Sequence, residues 1–201
     1  MRRLVYSPGK GETSQMAGIS QKVAILFSQL ESTGWYSDRA PAVQDMLMRI
    51  AEHRVFHDRQ AIFVAGDPSD GIYGIVEGTV RIDIPLRNGS QYQAYRAGIG
   101  FWIGDVATLS GKRNLTSVWA EGVTQTLFLP KGPLLEELSA ATSMYRDFYE
   151  ITQGNFTKTA SVLANFILET VDQQIAGRLL IEGCYLAKSD GWIPIGQYDL
   201  S

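Results

Sequence analysis

The chain has 201 residues, 45% of them hydrophobic and 19% charged, which gives room for one full globular domain and part of a second. A net charge of −3 excludes a bulk basic field for nucleic acid, and the lone Cys184 excludes an internal disulfide and fits a reducing compartment. No apolar run nears the roughly 18 residues of a membrane span, and Leu4-Val5-Tyr6 after Met1-Arg2-Arg3 is too short for a signal-peptide core, so the cytoplasm is the expected location and no membrane partner is expected.

Residues 1–20 are polar and glycine-bearing and read as an extension. Val23, Leu26, Phe27 and Leu30 then recur at helical spacing, and Gly34 is expected to stop that helix. A second helix is expected from Pro41 to Ala51, with Val43, Met46, Leu47 and Ile50 on one face and the proline in its first turn. His53 and His57, the two histidines, are four apart, but the extended character of Val55-Phe56 throws their rings apart and no further His or Cys cluster completes a metal site.

From Val55 to Pro130 the period falls to two, broken by Gly and Asp. Strands are expected at Ala61–Val64, Ile72–Val76, Thr79–Pro85, Tyr92–Arg96, Phe101–Ile103, Thr116–Glu121 and Thr124–Pro130, with turns at 66–71, at Glu77-Gly78 and at Arg87-Asn88-Gly89. Many short strands at this spacing make a roll or barrel, with Gly66, Gly71, Gly78 and Gly104 as corner glycines. Within it, Gly98 to Ala120 reads as a glycine corner, one helical turn, a basic tip at Lys112-Arg113 and a strand. The free N–H groups of the helical turn would suit an anion, with Arg113 or Lys112 as counter-charge. No nucleophile stands beside a general base, so catalysis is not expected.

After Pro130 the period returns to helical. A short helix covers 132–138, and a long one is expected from Met144 to Thr170, with Tyr145, Tyr149, Thr152, Phe156, Thr159, Leu163, Phe166 and Thr170 at alternating steps of four and three. Such a stripe suits a paired seam, because a helix this long is hard to bury in one small domain, although Gly154 weakens it by about 1 kcal/mol relative to Ala.

The chain from Phe56 to Pro130 resembles the sensor domain of the Crp/Fnr (catabolite activator) family of bacterial transcription regulators. The matching residues are Gln60-Ala61-Ile62-Phe63, Gly66-Asp67, the run Gly71 to Ile82, Gly98-Ile99-Gly100 with Phe101, Ile103-Gly104-Asp105, and Val118-Trp119-Ala120. The resemblance implies an α+β fold: a cyclic-nucleotide-binding-like β-roll, jelly-roll-like, over 41–142, after an extension with a short helix over 1–40. It further implies a dimerisation helix over 143–170 and the start of a truncated winged-helix domain over 171–201. Residues 171–187 resemble the first helix of that domain, with Ile175, Leu179 and Leu180 as its apolar face. Trp192–Ile195 resembles a wing strand, and the helix-turn-helix itself is expected to be missing by truncation.

The family's ligand cassette corresponds to Gly104 through Leu115, and the implied ligand contacts are Gly104, Asp105, Val106, Ala107, Arg113, Asn114 and Leu115, with Thr159 from the long helix. Asp105 stands where the family has a longer Glu. The family's Arg-Ser pair for the cyclic phosphate falls on Asn114-Leu115, with Arg113 one residue early, which on a strand faces it the other way. Losing that charge-assisted bond costs roughly 1.5–3 kcal/mol, so standard cyclic AMP binding is not expected. Three alternatives stay open: another small-molecule effector, a cyclic nucleotide held by Arg113, or no ligand. No cofactor and no metal are expected. The implied partners are a second copy of the chain, through Tyr149, Thr152, Phe156, Thr159, Leu163 and Phe166, and DNA through the missing helix-turn-helix. A module that regulates another protein and a cupin-like metal enzyme are the competing classes.

Overall fold

The computed structural model describes residues 21–165, 167 and 170–186. The expected extension over 1–20, the seam residue Phe166 and the wing segment within 187–201 lie outside the described residues. Residues 21–28 form helix α1, followed by α2 (Gly34–Ser37), α3 (Pro41–Ile50), β1 (Glu52–Phe56), β2 (Ala61–Phe63), β3 (Gly71–Pro85), β4 (Gln91–Ala97), β5 (Trp102–Ile103) and α4 (Asp105–Ser110). Then come β6 (Ser117–Pro130), α5 (Lys131–Ala140), a 3-10 turn at Thr142–Met144, α6 (Tyr145–Asn165) and α7 (Val171–Leu186).

The fold is the expected α+β β-roll. Its spine is the antiparallel pair β3 and β6, in register from Gly71 opposite Pro130 to Asp83 opposite Ser117. β1 and β2 pair with β6, and β4 and β5 pair with β3. Each spine strand replaces two expected ones. Glu77-Gly78 is not a turn: the register shifts there while the strand continues, and Gly78 takes φ 87°. A side chain at Gly78 would meet the Val123 carbonyl oxygen at 2.5 Å, so glycine lets the ribbon bulge and bend without ending. His53 lies in β1, its ring Nε2 2.9 Å from Gln125 Oε1.

Two apolar cores flank the sheet. One fills the roll, with Phe56, Tyr73, Ile75, Ile82, Val118 and Phe128 among its members. The other joins α1 and α3 to the outer face of the sheet, to Leu134 and Leu138 of α5 and to Phe148 and Ile151 of α6. The helix of residues 21–28 packs on the roll and is part of this core: Val23, Leu26 and Phe27, with Leu30 just beyond it, are all buried. Gly34 does not stop that helix, which has already ended. It crosses Gly100 backbone to backbone, where an added Cβ would sit 2.3 Å from the Gly100 oxygen. Just beyond, Trp35 Nε1 donates to the Asp147 carbonyl (2.7 Å), and the Arg39 guanidinium donates to Asp147 Oδ1 (2.9 Å) and Glu150 Oε2 (2.5 Å). The first turns of α6 are thereby clamped to the N-terminal segment.

The long helix ends at Asn165, short of the expected Thr170. Thr170 instead starts α7: its Oγ1 accepts the Gln173 N–H (3.2 Å) while its own N–H donates to Gln173 Oε1 (3.3 Å). α7 packs against α6 and β4. The expected apolar face of α7 is only partly right: Ile175 and Leu179 are half-buried, but Leu180 is 72% exposed. The buried anchor is Arg178, whose guanidinium donates to the Ala94 carbonyl of β4.

Candidate functional site

The site begins at a corner only glycine can turn. Gly104 takes φ 100°, and a Cβ there would lie 2.7 Å from the Gly71 carbonyl oxygen. Thr108 locks the turn, its Oγ1 donating to the Gly104 carbonyl (2.7 Å) and lying 2.6 Å from Ser69 Oγ. The first residue of α4 is Asp105, 2% exposed. Its carboxylate accepts Thr152 Oγ1–H at 2.5 Å and Asn155 Nδ2–H at 3.0 Å, both from α6. The backbone N–H groups of Asp105 and Val106 also turn to that carboxylate. Burial pushes the Asp105 carboxyl above its ordinary value, against the four hydrogen bonds that favour the charged form. The amide N–H groups expected to receive an anion are thus already taken by a carboxyl of the same chain.

Beside it opens a cavity of about 460 Å³. Of the residues expected to touch a ligand, Gly104, Asp105, Val106, Ala107, Asn114, Leu115 and Thr159 all line it. Arg113 does not: it is exposed, and its Nη1 donates to the Gly66 carbonyl (2.6 Å), next to an isolated bridge between Pro68 and Arg113. A residue one step off the cassette register faces the Gly66 corner, as the alternation of an extended chain requires.

The remaining wall comes from Phe63, Ile84, Tyr95 and Ile103 of the roll and from Thr152, Asn155 and Phe156 of α6. Thr152, expected in a dimer seam, stands on the inner wall, where its hydroxyl donates to the Asp105 carboxylate. Asn155 was not singled out in the sequence, and it is a central wall residue, its Nδ2 also donating to the Trp102 carbonyl (3.0 Å). Its signal was a Thr and an Asn three apart on a helix, both facing the sheet. Thr159 donates to the Asn155 carbonyl (2.9 Å) of its own helix. The outer side of α6 exposes Tyr149 (65%), Phe156 (71%) and Leu163 (63%). A shallower groove of about 580 Å³ runs between α4 and α6, lined by Val106, Leu109, Tyr145 and Tyr149 among others. Among the described residues no group of three or more His, Cys, Asp or Glu is placed to hold a metal ion, and no described helix is long and apolar enough to cross a membrane.

A cup closed by a helix on this sheet topology is the architecture of cyclic nucleotide-binding domains, and residues 53–140 match the family described as cyclic nucleotide-binding domain. No curated protein matches the sequence. Solved structures match at identities that establish the fold. The catabolite activator protein of Thermus thermophilus superposes with a TM-score of 0.57 at 18% identity, over 66% of this chain and 62% of that one. The regulatory domain of Toxoplasma gondii PKA, solved with cAMP, gives 0.57 at 14% identity, over 68% of this chain and 51% of that one. The N-terminal domain of a transcriptional regulator from Streptomyces coelicolor gives 0.53 at 18% identity, over 65% of this chain and 94% of that one. The chain spans less than two thirds of the length of the first two.

Proposed function

We propose that this chain is the effector-sensing and dimerising part of a cytoplasmic, DNA-binding transcription regulator of Crp/Fnr type, with no catalytic activity, whose effector is not cyclic AMP. The observation that carries the reading is a shared wall. Thr152, Asn155 and Phe156 of α6 close the cavity, and the same helix presents Tyr149, Phe156 and Leu163 outward. A ligand in the cup would press on the element that a second copy of the chain would grip, so occupancy and the relative placement of two subunits become linked. DNA contact is assigned to a helix-turn-helix of the kind that Crp/Fnr regulators carry. The preference against cyclic AMP follows from the cassette: Asn114 and Leu115 stand at the phosphate-holding positions, and Arg113 is held at Gly66.

Sedimentation velocity tests the dimer. The unsubstituted chain is expected to sediment as a dimer at micromolar concentration, and the double variant Tyr149→Glu and Leu163→Glu as a folded monomer. A monomeric unsubstituted chain would remove the seam from the proposal.

A further inference from the structure

Resting on the reading of the cup as an effector pocket, we infer that the effector is an uncharged, mainly apolar molecule that presents one amide-like hydrogen-bonding edge to Asn114. The walls set the first half of this statement. Phe63, Ile84, Tyr95, Ile103, Leu115 and Phe156 face the cavity, and no Lys, Arg or His is among the described residues lining it. An anion entering would give up its hydration and meet the Asp105 carboxylate, with no counter-charge to offset the loss. A cation would find both oxygens of that carboxylate already bonded to Thr152 and Asn155.

The polar groups set the second half. Around the cavity nearly every polar side chain is spent inside the protein: Thr152 on Asp105, Asn155 on Trp102 and Asp105, and Thr159 on the Asn155 carbonyl. The exceptions are Thr116, which is half-buried, and the more deeply set Asn114. It is 5% exposed and lines the cavity, and its backbone is fully used, its N–H on the Asp67 carbonyl (2.9 Å) and its carbonyl on the Gly66 N–H (2.8 Å). Its side-chain amide makes no hydrogen bond to another described residue. A carboxamide offers an acceptor beside two donors, and on Asn114 these are left for a molecule in the cavity. A ligand edge with an N–H next to a C=O meets both needs together. Asn114 stands where the family resemblance places the phosphate-binding Arg, so one substitution both removes the charge and installs a neutral recogniser.

The test uses the full chain and three probes: quinolin-2(1H)-one, a neutral bicyclic lactam; its N-methyl derivative, which lacks the N–H; and cyclic AMP. By calorimetry the lactam is expected to bind at least tenfold more tightly than cyclic AMP. N-methylation is expected to weaken binding about tenfold, as for one lost hydrogen bond. In Asn114→Leu the two lactams are expected to bind equally; Asn114→Ala repeats the comparison should the larger side chain lower the melting temperature. Tighter binding of cyclic AMP than of either lactam overturns the neutral class and leaves the sensing reading standing. No binding of all three overturns both. Equal binding of the lactams to the unsubstituted chain removes Asn114 from recognition.

Discussion

Asp105 is a buried acid held by four hydrogen bonds, two of them from the helix that closes the cup. Because burial raises its value above that of the unfolded chain, the folded protein keeps this proton more tightly. The stabilisation is full below the ordinary carboxylate value and is lost as pH rises through the raised one. The substitution Asp105→Asn keeps an acceptor for Asn155 and offers a donor to Thr152 Oγ1, and it does not titrate. The melting temperature of the unsubstituted protein, less that of Asp105→Asn, is therefore expected to fall as pH rises from below the ordinary carboxylate value, as measured by differential scanning calorimetry. A difference that rises with pH would mean that the hydrogen bonds outweigh the burial. The neighbouring glycine is tested separately. Gly104→Ala puts a methyl group 2.7 Å from the Gly71 oxygen at a φ of 100°, and should cost roughly 1–3 kcal/mol in a urea titration. At this scale the sequence was informative: Gly104, Asp105 and the cassette residues were marked by spacing and resemblance, and all but Arg113 line the cavity. What spacing could not reveal was that the corner fills its own anion site, because Thr152 and Asn155 arrive from nearly 50 residues downstream.

Along α6 the sequence shows the helix and one of its two faces. The stripe from Tyr145 through Leu163, read as a seam with a second copy of the chain, faces mostly away from the roll. The face on the roll is Phe148, Ile151, Asn155, Lys158 and Val162, again at steps of three and four. It was hidden because two of its members are polar. Lys158 is 2% exposed, with its Nζ 4.0 Å from the centre of the Phe101 ring, so its charge lies over an aromatic face. The helix end was readable in hindsight, since Thr170-Val171-Asp172-Gln173 has the spacing of a capping box. In the element that follows, Arg178 is the buried cation on the roll: Arg178→Ala should lose about 1.5–3 kcal/mol from the α7 contact. Hydrogen exchange should then speed up in Gln91–Ala97 and leave Gly71–Val76 unchanged. Unaltered protection of β4 would show that α7 is held by other contacts.

In the whole molecule, the β-roll was legible because turn glycines and period-two strands agreed over Phe56–Pro130, while the second core was not. The apolar face at Val23, Leu26, Phe27 and Leu30 marks a helix against the roll, but nothing local shows that Trp35 and Arg39 reach more than 100 residues along the chain to fasten α6. Local patterning carries no record of such long-range clamps, which depend on where the sheet delivers the later helix. The arrangement leaves α6 clamped at its start, packed on the roll along one face and exposed along its outer side.

The Asp105 corner has a thermodynamic consequence of its own. Where a fold depends on an incoming phosphate to neutralise bare amide dipoles, inorganic salts of that shape act as stabilisers by mass action. Here a tethered carboxyl already accepts from those amides, so the corner is satisfied without an incoming anion. Replacing an uncharged buffer by inorganic phosphate at the same pH and ionic strength should leave the midpoint of thermal unfolding where it was. A rise that grows logarithmically with phosphate concentration would reveal an oxyanion seat that Asp105 does not fill.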